Sequence, residues 1–486
     1  MSSKRSPIYI KHILEPGYRF TKKHFLSYMI EINIAHAFML AHTKILREQD
    51  AMTIIQANQQ LLITGFNKDY DPAYEDLFFM IEAELKKEIG EELVGNMHIA
   101  FSRNDMDATM YRMVWRERLV DWMILVTNLK KLLHNLAKEH ELTVMPAYTH
   151  NQQAQPTTFA HYILAIDKHL ERDLDRGLAL LTRINQSPMG AAALGTTGFP
   201  IDRDLIAKTL AFAKPLDNSY DSISAADYML EIASTLSIFL STLSRFVYDL
   251  LFLTTNEVDA IIIDESLVQT SSIMPQKRNP SSLEHTRSLI SRTIGELQST
   301  SMMTHSVPFG DIVDIGDDIQ PIIEKGYSHS VQIVELLIEI LSNMTIRKDK
   351  LFKRCQEGFS TATELADVLV RDCKLSFRQA HQLVQVYVKS LANSGKHLQD
   401  GNAEQLKKIA KKRFSLEPRL TEEQYKKAID PYQFILVRSV LGGPNPKETE
   451  RQRIQSAQRV EAFIRELNEA KNTFRSYKDE LRNRII

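Results

Sequence analysis

The amino-acid sequence predicts an all-α protein built around a bundle of long helices. Three observations carry that expectation. Glycine and proline are scarce, 17 and 16 in 486 residues, and they gather at a few places instead of scattering. Between those places run long segments with helical periodicity and no breaker. The apolar/polar alternation of a half-buried strand is almost absent.

The long segments are residues 105–141, 157–185 (interrupted only by Gly177), 225–255 and 281–304. In the third, Leu230, Ala233, Leu236, Leu240, Leu243, Val247 and Leu250 recur at three- and four-residue steps, as one buried helix face requires. Such segments far exceed the average globular helix of about 11–12 residues, which favours a bundle over a mixed fold. The breakers cluster at 188–202, 269–280, 306–321 and 442–446. Behind the last, residues 447–486 alternate in charge around a thin apolar stripe of Ile454, Val460, Phe463, Ile464 and Leu467. That tail reads as one or two solvated or oligomer-facing helices.

Charge and cysteine content exclude several classes of function. The formal net charge of -1 argues against a nucleic-acid partner. Cys355 and Cys373 have neither metal-ligand spacing nor a disulfide framework, which suits a reducing compartment. The N-terminus MSSKRSPIYIKHILEPGYRF is basic but lacks the apolar run of a signal peptide. Residues 232–253 are the most apolar stretch, yet they carry Arg245 and Asp249, so no membrane span is expected. A cytoplasmic protein follows. No dinucleotide fingerprint, phosphate loop, HExxH or GxSxG motif occurs, so neither a cofactor nor a metal is expected.

Four polar segments remain, each beside a long helix. HIAFSRNDMDAT places Ser102, Arg103 and Asn104 at a helix start, where free N–H groups and the helix dipole favour a carboxylate. Read alone, it is equally a cap with a surface arginine. YTHNQQAQP offers Thr149, His150 and Gln155, with His150 a candidate acid or base. GAAALGTTGFPIDR, from Gly190 to Arg203, is a small-residue loop whose Thr196 and Thr197 either line a pocket or simply connect helices. QTSSIMPQKRNPSSLEHTR has the look of a mobile polar loop. A serine there acts as a base if oriented donors and a nearby cation stabilise its alkoxide. Together the segments imply a carboxylate-binding helical protein without naming a reaction.

The last segment resembles the loop G-S-S-x-M-P-x-K-x-N-P of the aspartase/fumarase superfamily, departing only in Thr270 for the glycine. FSRNDMDAT, YTHNQQAQP, GTTGFPIDR, GFSTATELADVLVRDCKLSFRQAH and VLGGPNP resemble motifs of its argininosuccinate lyase branch, in register from about Tyr28 to Pro446. The resemblance implies three helical domains: residues 1–100, a central bundle over 101–352 with a catalytic lid at 269–280, and 353–486 with the charged tail. It also implies a homotetramer whose active sites draw on three subunits, and cofactor-free release of fumarate from a succinyl-amine. Carried over by position, Ser271 is the base, and Ser102, Arg103, Asn104, Thr149, Lys277 and Asn279 hold the carboxylate of the intermediate. Lys277 also counts as catalytic, and His150, paired with Glu284, assists the departing nitrogen. Gln155, Ser272, Met274, Asn33 and Asp311 complete the expected substrate contacts.

The departures gather on the amine side. Met29 and Asn33 stand where the family has Asp and Ser; Asp311, Gly316 and Ile319 stand for Tyr, Gln and Lys; Phe101 replaces an Arg. SDRD is here Ser224-Ala225-Ala226-Asp227. The pattern fits a lyase for another N-substituted aspartate. In that reading Asp311, Asp314, Asp317 and Asp318 suit a more cationic amine without an amino-acid carboxylate, although such a run is equally a solvated loop. A divergent argininosuccinate lyase and an inert scaffold of the same fold remain as alternatives.

Overall fold

The computed structural model describes residues 5–484. Near the N-terminus, helices α1 (Leu26–His42) and α2 (Glu48–Thr64) pack on each other. The central helices are α3 (Arg103–Glu139), α4 (Phe159–Ile184), α5 (Asp227–Leu253), α6 (Ser281–Thr304) and α7 (Gln320–Ser342). The four expected helices thus form within about two residues of their predicted ends, and α7 joins them. α3 lies against α4 and α7, while α5 lies against α4, α6 and α7.

Side chains explain these contacts. Trp115 and Trp122 of α3 are fully buried, and each indole N–H needs an acceptor. Trp115 donates to Gln320 Oε1 at 2.8 Å and Trp122 to Ser330 Oγ at 3.1 Å, which pins α3 to α7. Gly177, the lone breaker within α4, marks a close crossing, since a Cβ there would lie 2.6 Å from Met123 Sδ on α3. α5 is apolar enough to span a membrane by composition, yet only 44% of its most apolar window is buried within the chain. Ile238 and Tyr248 on its outer face are exposed.

Between α3 and α4 stands a hairpin, β1 (Val144–Thr149) and β2 (Gln152–Thr158). Its base packs with α8 (Lys348–Glu357) and α9 (Pro431–Leu436), where Val144, Cys355, Phe434 and Ile435 share a small core. A separate core around Leu369, Leu383, Leu406 and Tyr425 holds the rest of the C-terminal helices together. The N-terminal helices, by contrast, share one continuous core with the bundle.

The tail differs from its expected form. α10 (Pro446–Arg482) is a single helix of 37 residues lying along α3 and α4, with Val460, Phe463, Leu467, Phe474, Tyr477 and Leu481 buried. Phe463, Leu467, Phe474, Tyr477 and Leu481 join the apolar core of the bundle, and buried polar partners sit beside them. Lys130, Asp167 and Ser456 are buried together: Lys130 Nζ lies 2.5 Å from Asp167 Oδ1, and the Ser456 hydroxyl donates to Asp167 Oδ2 at 2.5 Å. The fully buried Arg116 guanidinium faces the rings of Phe474 and Tyr477 at 4.5 and 5.4 Å.

Candidate active site

The first candidate segment begins α3. Ser102 is its N-cap, its Oγ accepting from Asn104 N at 3.3 Å and donating to Asn104 Oδ1 at 3.2 Å. Arg103 differs from expectation. Its guanidinium is taken up by Asp76 and Glu75 and rests 5.1 Å from the Phe79 ring centroid, so an incoming carboxylate has to displace those partners.

Asp105, which the sequence reading did not single out, is fully buried and joins two candidate segments. One carboxylate oxygen accepts from Ser102 N at 3.0 Å; the other accepts from Gly190 N at 2.9 Å and Ala192 N at 3.0 Å. Burial raises its carboxyl to about 6 against the pull of those amides. The only sequence signal was its place three residues after a serine cap.

His150 and Asn151 form the hairpin tip, with φ of 53° and 57°. Two consecutive positive φ values in a two-residue loop follow the right-handed twist of paired strands, and asparagine tolerates the conformation best after glycine. Thr149 and His150 are exposed there. Gln155 donates to Thr363 Oγ1 at 3.2 Å, tying the hairpin to the C-terminal unit.

The segment expected as a lid is a loop on a short neck. β3 (Gln269–Thr270) pairs with β4 (Arg278–Asn279), leaving residues 271–277 as an exposed arc with Ser271 half-buried at its root. Ser271 Oγ accepts from two backbone amides, Ile273 N at 3.3 Å and Met274 N at 3.0 Å. Both contacts are local, closing a tight turn in which the hydroxyl is the acceptor. Ser272, Met274 and Lys277 are exposed, and Asn279 sits in the neck. Glu284 is exposed in the first turn of α6.

Acidic side chains crowd the start of α3. Burial and the neighbouring Asp317 push Asp107 well above the carboxylate range and raise Asp311 as well, and burial raises Asp76. Asp317 accepts from Tyr111 OH at 2.7 Å. Asn33 departs from its expected place: it is 3% exposed in α1, donating to Asn58 Oδ1 at 3.2 Å, and so lies in the core. Among the described residues, no side-chain hydrogen bond or ion pair links His150, Ser271, Lys277, Asn279 and Glu284 to one another or to Ser102, Arg103 and Asn104. His150 and Glu284, expected as a pair, stay apart within the chain.

A lyase family model matches residues 18–295, and a model of the argininosuccinate lyase C-terminal region matches residues 359–436. The chain belongs to the argininosuccinate lyase-like branch of the aspartase/fumarase superfamily. It is 35% identical to argininosuccinate lyase 1 of Shouchella clausii over 96% of this chain and 93% of that protein. It is 37% identical to the argininosuccinate lyase of Methanocorpusculum labreanum over 86% and 84%. Among solved structures, EDDS lyase in complex with formate superposes with a TM-score of 0.87 at 26% identity, over 99% of this chain and 95% of that one. Membership makes this protein a carbon–nitrogen lyase. Its all-α architecture is shared with those relatives.

Proposed function

We propose that this lyase releases fumarate from an N-substituted aspartate whose amine half is cationic and lacks an amino-acid carboxylate. The observation that carries the reading is the Ser271 turn, where two backbone amides converge on one hydroxyl inside a lid that also bears Lys277. The β-proton of a succinyl group is very weakly acidic, so most of the barrier lies in the charge of the carbanion, spread onto its carboxylate. Ser271, as alkoxide, takes that proton. Lys277, Asn279, Thr149 and the α3 start, with Ser102 and Asn104, meet the resulting aci-carboxylate. The electron pair then forms the C=C bond as the C–N bond breaks, and the leaving nitrogen takes a proton with help from His150. Lid closure over 271–277 excludes water.

His150, Glu284 and Ser271 stay apart in one chain, so the complete site draws on other copies. Ile238 and Tyr248, exposed on the outer side of α5, support a homotetramer with shared sites.

The acids near the α3 start support the cationic amine. Carboxyls raised by burial and by the neighbouring Asp317 are drawn back toward their ionised form by a nearby ammonium group. Likeness to argininosuccinate lyases over nearly the whole chain favours a second reading, in which the substrate is argininosuccinate itself. Incubating the enzyme with fumarate and either arginine or short aliphatic diamines separates the two. Adducts with diamines that weaken in Asp311→Asn support the first reading. Adduct with arginine alone supports the second.

A further inference from the structure

We propose that Asp105 is a positioning residue that locks a strained loop, Gly190 to Thr197, onto the start of α3 and so shapes the carboxylate-binding side of the site. The loop is unusual in its backbone. Ala192, Leu194 and Thr196 all have positive φ, at 50°, 74° and 59°, and Gly190 lies at 85°. L-residues disfavour that region, so three of them within five positions persist only where the surroundings over-determine them.

The anchors can be named. Asp105 accepts the amides of Gly190 and Ala192 from one side. Arg203 Nε donates to Met189 O at 3.0 Å from the other, and the Ser219 hydroxyl donates to Leu194 O at 2.7 Å. The second Asp105 oxygen holds Ser102 N, so one buried carboxylate sets the distance between the loop and the α3 start. Thr196 and Thr197, candidates for a pocket lining or a plain connection, ride on that loop. Asp105 touches no substrate; it acts through the two segments it joins. The catalytic part of this inference rests on the proposed fumarate chemistry, whereas the loop part does not.

The test is Asp105→Asn, which keeps the size of the side chain but turns an N–H donor toward amides that need an acceptor. Amide hydrogen exchange at Gly190 and Ala192 is expected to rise at least tenfold while mid-α3 amides keep their protection. Turnover per unit KM is expected to fall about a hundredfold, with the melting temperature nearly unchanged. Adding Ala192→Gly, which accepts positive φ without strain, is expected to restore at least fivefold of the lost turnover, a rescue that a general loss of stability would not give. Should Asp105→Asn fail to fold, Asp105→Glu takes its place, since it keeps the charge but sets the oxygens a methylene too far to serve both segments. Unchanged exchange at Gly190 and Ala192 would overturn the lock. Raised exchange with full turnover would overturn its link to the site. Absence of fumarate chemistry in the unmutated enzyme would remove the catalytic part and leave exchange to decide the lock alone.

Discussion

Glu31 is 3% exposed and faces the C-terminal helix, where Tyr477 OH lies 3.0 Å from its Oε2 and 3.2 Å from Glu117 Oε1. Burial raises its carboxyl to about 7; Lys478 and the Tyr477 hydroxyl oppose the shift, and the nearby Glu117 adds to it. A carboxyl raised in the folded state favours folding fully below its unfolded pKa, and that contribution is lost as pH climbs through 7. A rise from 4.5 to about 7 is on the order of 3 kcal/mol at about 1.4 kcal/mol per unit. Unfolding entropy of roughly 2 cal/mol/K per residue makes that ~3 °C for a chain of 486 residues. Glu31→Gln stays neutral at every pH. It should therefore melt about 3 °C above the unmutated protein at pH 8 and within about 1 °C of it at pH 5, by circular dichroism at one fixed protein concentration. A difference that does not change with pH would refute the reasoning.

Two further substitutions separate structural from functional charge. Lys130→Met removes the ammonium from the buried Asp167 carboxylate, leaving it His134 and Ser456, and should destabilise the protein by about 3 kcal/mol in urea titration, with Lys130→Met/Asp167→Leu regaining part of the loss. Lys277 is exposed, and among the described residues its side chain makes no ion pair. Lys277→Ala should leave the melting temperature within about 1 °C yet lower kcat/KM about a hundredfold or more, because the proposed chemistry uses its charge at the transition state.

The long helices were legible because their buried positions recur at helical spacing, and α6 forms over the residues its period marked, burying Leu283, Ile290 and Leu297 among small Ser and Thr side chains. The C-terminal helix was not legible in the same way. Its anchoring residues include Ser456 and Tyr477, which add hydrogen bonds to Asp167 and Glu31 beside its apolar contacts, and a pattern of alternating charge conceals such partners. The hairpin escaped because its second strand, QQAQPTT, shows no apolar alternation and its turn is His-Asn rather than Asn-Gly. Motifs singled out Ser271, His150 and the α3 start as candidates, but local sequence carries no trace of which partner a side chain meets across the fold. Arg103 turned to Asp76, Asn33 turned into the core, and Asp105 reached Gly190 across 85 positions.

The most direct test follows the ultraviolet absorbance of fumarate on incubation with arginine or a short diamine, comparing the unmutated enzyme with Ser271→Ala. The account predicts fumarate consumption with an adduct of the summed mass, and its loss in Ser271→Ala with melting temperature and assembly unchanged. Equal consumption by Ser271→Ala, or no adduct with any amine, would contradict it.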